Sequence, residues 1–139
     1  MSDPLSRALA VIAFVALVAV VALAARAIAR AQRRRVLAGP AEPSLATGTA
    51  TILYFHGDHC SDCVVQEREL DAVLIAHPEV AIRADHAPSA LSERFRVLTV
   101  PTTVILDGAG RARAVNYGVA RRSVLEAQLA ELGRLEASA

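Results

Sequence analysis

The stretch TILYFHGDHCSDC, residues 51–63, decides how this 139-residue chain is interpreted. An apolar run ends at Phe55, and the only two cysteines of the chain follow as Cys60 and Cys63, with two residues between them. Two thiols with this C-x-x-C spacing can close a disulfide reversibly. The stretch therefore predicts redox chemistry at a turn between a strand and a helix.

The start of a helix gives the two cysteines different roles. Residues three apart on a helix lie about 5 to 6 Å apart at Cβ, so a small adjustment lets the sulfurs bond. Free backbone N–H groups and the positive end of the helix dipole favour a thiolate at the first cysteine. We therefore expect Cys60 to be the nucleophile and Cys63 the resolving thiol. A zinc site of four thiolates is excluded within one chain, and a purely structural disulfide closing so short a loop would add little stability.

A second motif lies about forty residues later, in the stretch TVPTTVILD at residues 99–107. Pro101 opens a run of apolar and β-branched residues, and the first residue of a strand is a place where a sheet tolerates proline. The sequence DGAG at residues 107–110 then predicts a hairpin turn.

Together these features resemble the thioredoxin family over residues 50 to about 135. The resemblance rests on the strand followed by the C-x-x-C turn, on the Val-Pro-Thr segment and on the hairpin after it. It implies an α/β thioredoxin-like fold, a central mixed sheet flanked by helices. It also implies that Pro101 is a cis-proline packed against the cysteine pair, and that the backbone of Val100 pairs with an extended substrate peptide.

The chain departs from the family pattern around the cysteines. His59 replaces the usual tryptophan, Tyr54 stands where the family has a buried proton-relaying aspartate, and Ser61-Asp62 replaces Gly-Pro. We expect His59 to lie on the substrate side and to act on the neighbouring thiol, stabilising the thiolate as imidazolium or accepting its proton as imidazole. Asp58 and Asp62 are expected to modulate the pair by their negative charge, or else to cap the helix.

The sequence favours a thiol-disulfide oxidoreductase that needs no cofactor. Its expected partners are protein disulfides as substrates and an unidentified electron donor, with no resident metal. Two alternatives remain. One is a metal-binding or metallochaperone domain that uses His56 and His59 with the two cysteines; the other is a thioredoxin-fold interaction module without catalysis.

The N-terminal part of the chain predicts a membrane anchor. Residues 8–25 are uncharged, and as a helix they reach about 27 Å, close to the roughly 30 Å hydrocarbon core of a bilayer. A cleaved signal peptide is the alternative, because residues 22–24 read Ala-Leu-Ala. A retained anchor is favoured, since the uncharged run is longer than a typical signal-peptide core and arginines follow it at once.

The charge pattern predicts which side of the membrane the domain occupies. Only Arg7 precedes the apolar run, offset by Asp3, whereas five arginines follow it: Arg26, Arg30, Arg33, Arg34 and Arg35. The positive-inside rule then places the thioredoxin-like domain in the cytoplasm of a single-pass membrane protein. Because the membrane accounts for this cluster and the net charge is only +1, no nucleic-acid partner is expected.

The predicted organisation is a short N-terminal tail at residues 1–7, a transmembrane helix at 8–25, an arginine-rich juxtamembrane segment and linker at 26–49, and the domain at 50–136. Within the domain the predicted order is strand, helix, strand, helix, strand, strand, helix, at residues 51–55, 60–77, 80–84, 88–95, 102–106, 112–117 and 123–135. The inner faces are predicted to carry Leu70, Val73 and Leu74 on the first helix of the domain, and Leu125, Leu129 and Leu132 on the last.

Overall fold

The computed structural model describes residues 4–138, and the chain divides into two compact units at Arg34 and Arg35. A single helix, α1 (Pro4–Leu37), accounts for the described part of the first unit. The last residues of this helix, 35–37, are assigned to the second unit. Residues 1–3, which hold Asp3 and part of the predicted tail, lie outside the described residues, and the rest of that tail is helical from Pro4 onward. Among residues 4–138, α1 is the one helix that by length and composition could cross a membrane, a test that a signal sequence also passes.

The second unit has the order of elements that the sequence predicts, with a short 3-10 turn (Pro43–Leu45) added before them. The elements are β1 (Thr51–His56), α2 (Ser61–Ala76), β2 (Ala81–His86), α3 (Ala90–Arg94), β3 (Thr102–Leu106), β4 (Ala112–Tyr117) and α4 (Arg122–Ala137). The sheet has the strand order β2-β1-β3-β4; β1 is parallel to β2 and antiparallel to β3, which is antiparallel to β4. The expectation of a mixed sheet flanked by helices is confirmed.

The bounds of two elements, β2 and α3, differ from the predicted ones. Strand β2 begins and ends later than the predicted 80–84, because all six of its residues pair in register with β1, from Ala81 opposite Thr51 to His86 opposite His56. Helix α3 is shorter than the predicted 88–95. Its predicted cap is confirmed, since the Ser89 hydroxyl accepts a hydrogen bond from the backbone N–H of Ser92.

Strand β1 is buried from Thr51 to Phe55 and contributes to both hydrophobic cores of the domain. Successive side chains of a strand point to opposite faces of the sheet. Ile52 and Tyr54 therefore pack in one core with α2 and α4, whereas Leu53 and Phe55 pack in the other. The C-x-x-C turn borders the first of these cores, which includes Cys63.

The inner face of α2 differs from the prediction at one position. Leu70 and Val73 are buried as predicted, but Leu74 is 37% exposed. The buried stripe instead continues backward along the helix to Gln66 and Cys63, which keeps the three- and four-residue spacing of a single face. The three leucines predicted for the inner face of α4 are buried.

The Gln66 side chain is fully buried although it is polar. Its amide donates to the carbonyl oxygen of Ala120 and accepts from the N–H of the same residue, at 3.1 and 2.7 Å. Both polar ends are therefore satisfied, and the amide fastens α2 to the loop between β4 and α4.

Residues 36–49, the second part of the predicted juxtamembrane segment and linker, pack against the sheet. Val36 and Leu45 are buried in the second core, beside Leu53 and Phe55. The backbone N–H of Glu42 donates to the Gly110 carbonyl at 2.9 Å, and that of Gly48 donates to the Gly108 carbonyl at 3.0 Å. We call residues 36–49 the clasp, because they hold the β3–β4 turn while covering one face of the sheet.

The β3–β4 turn is organised by the buried carboxylate of Asp107. Its Oδ1 accepts from the N–H groups of Ala109 and Arg111 at 3.0 and 2.9 Å, and its Oδ2 accepts from Arg113 Nε at 2.8 Å. Burial alone raises the pKa of Asp107, but the hydrogen bonds from Arg111 and Arg113, the charge of Arg113 and the bond from Ala109 together hold that pKa below its usual value.

Gly110 offers a test of the clasp. A Cβ at Gly110 would lie 2.3 Å from the Glu42 carbonyl oxygen, whereas a Cβ at Gly118 would meet nothing within 4 Å; their φ angles are +77° and +81°. We expect Gly118→Ala to lower the free energy of unfolding by about 1 kcal/mol, the cost of a positive φ. Gly110→Ala should lower it by about 2 kcal/mol more, because the clasp must also move.

The measurement is urea unfolding of the full chain in detergent micelles, followed by circular dichroism. Because Gly118→Ala carries the same backbone cost without the clash, the difference between the variants isolates the contact with the clasp. Equal destabilisation by the two substitutions would show that the clasp adds nothing to stability at this point.

Candidate redox site

The two cysteines lie at the junction of the β1–α2 loop and helix α2, joined as a disulfide. The S–S distance is 2.09 Å and the Cα–Cα distance is 5.2 Å, within the range of ordinary disulfides. Cys63 is 4% exposed and belongs to the core beneath α2, whereas Cys60 is half-buried and packs only against the edge of that core. The outer cysteine is thus the more accessible of the two.

Cys60 is itself the N-cap of α2. Its backbone is extended, with φ −97° and ψ 97°, and its Sγ accepts a hydrogen bond from the N–H of Cys63 at 3.1 Å. The same N–H also lies 3.2 Å from the Cys60 carbonyl oxygen, so it is shared between the two acceptors. The same N–H and the helix dipole favour negative charge on this sulfur when the disulfide is open.

The loop that precedes the cysteines approaches the segment that contains Pro101. A Cβ on Gly57 would lie 3.1 Å from Cγ2 of Val100, so glycine permits this close approach. The Val100–Pro101 peptide bond is cis, and the Pro101 carbonyl accepts from the N–H of Gly118 at 2.8 Å. Val100 packs against the same core as Cys60 and Cys63. Val100 is therefore on the side of the domain that carries the pair.

The structure places three side chains that were predicted to act on the pair at different positions around it: His59, Asp62 and Asp58. His59 is exposed, has a φ of 53°, and lines the open depression at the cysteines. Asp62 is exposed in the first turn of α2, but the cap is Cys60 and not an aspartate. Asp58 points elsewhere, since its Oδ1 lies 3.2 Å from Nε2 of His86.

The four residues of the alternative metal site line one depression, but their side chains are not arranged as a set of metal ligands. His56 lies beside His86, with ring centroids 5.2 Å apart in a T-shaped arrangement, and the two cysteines are bonded to each other. Within residues 4–138, no group of three or more His, Cys, Asp or Glu side chains is arranged to hold a metal ion.

Tyr54 lies directly beneath the inner cysteine. Its hydroxyl is 3.2 Å from the Cys63 carbonyl oxygen and 3.3 Å from Oε1 of Glu67, and its one proton is shared between these acceptors. Burial, together with the charge of the Glu67 carboxylate and the hydrogen bond to it, raises the pKa of Tyr54 to about 12. The hydroxyl therefore stays protonated at neutral pH and acts as a donor.

Glu67 is the residue at this site that the sequence interpretation missed. It lines the depression that also contains Cys60, Cys63, His56 and His59. The signal was present in the sequence, since Glu67 follows Cys63 by four residues and positions four apart share a helix face. A second cis peptide bond, Ala87–Pro88, was also missed; it follows β2.

No protein-family model matches the chain, and neither does any curated protein sequence. Solved structures do match. An uncharacterized thioredoxin-like protein from Clostridium perfringens is 30% identical, with a TM-score of 0.56, and the alignment covers 63% of this chain and 73% of that one. Thioredoxin from Trypanosoma brucei brucei has a TM-score of 0.58 at 19% identity, covering 72% and 95% of the two chains. StoA from Bacillus subtilis has a TM-score of 0.53 at 17% identity, covering 64% and 98%.

The two less similar structures share the fold, and the Clostridium perfringens protein is close enough in sequence to show common membership. The chain belongs to the thioredoxin-like family. The resemblance predicted from the strand, the C-x-x-C turn and the Val-Pro-Thr segment is thereby confirmed.

The difference in burial between the two sulfurs predicts an order of alkylation. After reduction of the full chain in detergent, we expect iodoacetamide to modify Cys60 about tenfold faster than Cys63, because the outer sulfur is accessible and its thiolate is favoured at the helix start. Peptide mapping at low reagent excess measures the ratio. Equal labelling of both thiols would contradict the assignment of outer and inner cysteine.

Proposed function

We propose that the protein is a membrane-tethered thiol-disulfide oxidoreductase. The observation that carries this proposal is the closed Cys60–Cys63 pair at the N-terminus of α2, in a domain whose cis Val100–Pro101 bond precedes β3 and whose Val100 packs against the core of Cys63. A disulfide that closes so short a loop at a helix start, with Cys60 half-buried and Cys63 buried, suits reversible opening better than a structural role. Membership of the thioredoxin-like family supports the same chemistry.

In the proposed reaction, the Cys60 thiolate attacks one sulfur of a substrate disulfide, and the other substrate sulfur leaves as a thiolate. This gives a mixed disulfide between Cys60 and the substrate. Cys63 then attacks Sγ of Cys60, which releases the second substrate sulfur and leaves the Cys60–Cys63 disulfide. Two electrons pass to the substrate, and an electron donor must restore the dithiol. No cofactor takes part in these steps.

The residues around the pair have proposed roles that follow from their positions. The backbone of Val100 pairs with an extended segment of the protein substrate next to Pro101, and His59 lines the side of the depression that the substrate enters. The negative charges of Asp62 and, at greater remove, Asp58 disfavour a thiolate on Cys60 and so favour the oxidised pair.

The membrane part of the proposal rests on α1. Residues 8–25 form the span, and because the helix continues to Leu37, the five arginines lie on its last turns. From Arg26 to Arg35 these turns extend about 14 Å, a length over which long side chains reach the headgroups. The positive-inside rule then places the thioredoxin-like domain, proposed as residues 50–136, on the cytoplasmic side, with residues 1–7 on the other.

Redox equilibrium of the full chain in detergent tests the chemistry. In glutathione buffers of stepped ratio we expect a reversible two-electron transition, counted as two thiols per chain. Cys63→Ser should accumulate mixed disulfides with an added disulfide peptide, because the resolving thiol is lost, and the matched Cys60→Ser should accumulate few. The absence of a reversible transition would contradict the enzyme, and zinc or copper retained stoichiometrically through a chelator wash would support the metal-binding alternative.

Reporter fusion tests the placement. A reporter that is active only outside the cytoplasmic membrane, fused to the C-terminus, should remain silent, because the arginines hold the domain inside. Glutamine at all five arginine positions should weaken this bias and give measurable reporter activity, and glutamine at Arg68 and Arg134, two exposed arginines of the domain, is the control. Strong activity from the unaltered chain would overturn the cytoplasmic placement.

A further inference from the structure

The resolving step needs a proton acceptor near Cys63. In the proposed reaction this inner thiol must become a thiolate to attack Cys60, yet its side chain is 4% exposed and buried among apolar residues. Burial disfavours the charged form of a thiol, and bulk water has little access to its proton. A group on the protein that takes the proton as the attack proceeds would remove this obstacle.

Glu67 is the carboxylate that the fold places there. It follows Cys63 by one helical turn on the same face of α2 and lines the depression that both cysteines share. Its Oε1 accepts a hydrogen bond from the Tyr54 hydroxyl, which also lies 3.2 Å from the Cys63 carbonyl oxygen. One hydroxyl thus ties the carboxylate to the turn of backbone that carries the inner sulfur.

Glu67 also has an outlet to solvent. Its side chain is exposed, and it lines a second depression with Tyr54, His56, Asp71 and apolar residues of α2 and β2. A proton accepted on the side of the cysteines can leave through this opening. Tyr54 cannot itself be the acceptor, because its raised pKa of about 12 keeps it a neutral donor at neutral pH.

We propose that Glu67 is the proton acceptor for Cys63 and that Tyr54 is its positioning residue; the proposal rests on the redox function above. As Cys63 Sγ attacks Cys60 Sγ, its proton passes to a carboxylate oxygen of Glu67. The bond between Cys60 Sγ and the substrate sulfur breaks, and its electron pair leaves on that sulfur, which takes a proton from water. Glu67 then returns its proton to solvent.

The other titratable groups that face this point are few. His56 comes from the end of β1, His59 from the loop before Cys60, and Asp71 from the next turn of α2. His56 is the strongest rival, because it lines both depressions. The hydroxyl of Tyr54 links Glu67, and not His56, to the turn of Cys63. The His56 ring packs against the rings of Tyr54 and His86, with centroids 5.6 and 5.2 Å away.

The test is the rate of the resolving step in the full chain in detergent. A mixed disulfide with a chromogenic thiol is formed on Cys60, and release of that thiol is followed by stopped flow from pH 6 to 10. At pH 7 we expect Glu67→Gln to slow release by about 10²-fold. The deficit should shrink as pH rises, because Cys63 then ionises without assistance.

The pH profile separates this role from a structural one. Glutamine still accepts the Tyr54 hydrogen bond, so a packing defect would lower the rate equally at every pH. Tyr54→Phe should give a smaller deficit with the same pH dependence, since the carboxylate remains but is no longer held. Glu69→Gln, which removes a carboxylate of α2 that lines neither depression and faces the N–H of Arg122, is the matched control and should resolve at the unaltered rate.

Several outcomes would overturn the inference and leave the proposed function intact. Unchanged release in Glu67→Gln would do so, and so would faster release at every pH, which would mean that the carboxylate only repels the thiolate. A pH-dependent deficit in His56→Gln alone would assign the proton to His56. If the unaltered chain forms no mixed disulfide on Cys60, the proposed function itself fails. Attack by Cys60 in a Cys63→Ser background should be insensitive to Glu67→Gln, which separates the two steps.

Discussion

The burial of β1 on both of its faces is the constraint on which the rest of the domain depends. A central strand between a parallel and an antiparallel neighbour needs an apolar cover on each side, and alternation divides its side chains between two cores. The cover on one side is α2 with α4, and on the other α3 with the clasp. Since Tyr54 faces α2, its hydroxyl can reach the turn of Cys63.

The C-x-x-C turn meets the requirements of a helix start without the Gly-Pro of the family. The chain turns into α2 through a positive φ at His59, a residue type that tolerates this region better than most. The backbone N–H of Cys63, the third residue of the helix, then donates to Cys60 Sγ, where the side-chain oxygen of serine or aspartate is the usual acceptor. The reactive sulfur and the helix cap are thus one atom, so the same backbone N–H that completes the helix also favours the thiolate.

Local patterns were sufficient to predict most of the fold and the position of the pair. The hairpin strands follow from alternation and from the DGAG turn, and both of their boundaries were predicted correctly. The clasp could not be predicted in this way, because glycines and prolines in residues 36–49 are typical of a linker, and only tertiary contacts bury Val36 and Leu45. The prediction that Leu74 lies on the inner face of α2 was wrong for a related reason. The polar Gln66 occupies that face because its amide bonds both backbone groups of Ala120.

The hydrogen bond between Tyr54 and Glu67 avoids the desolvation cost that a buried carboxylate would have at this place. An ionised carboxylate within the core beneath α2 would lose its hydration, at a cost that usually forces it to become neutral. Here the buried member is an uncharged phenol, and the charge lies on an exposed side chain one helical turn above the inner cysteine. Because Oε1 of that side chain accepts from the phenol, which also donates to the Cys63 carbonyl oxygen, the carboxylate is tied to the turn of Cys63 while it keeps its access to water. The proton acceptor that we propose for Cys63 can therefore stay charged without being buried.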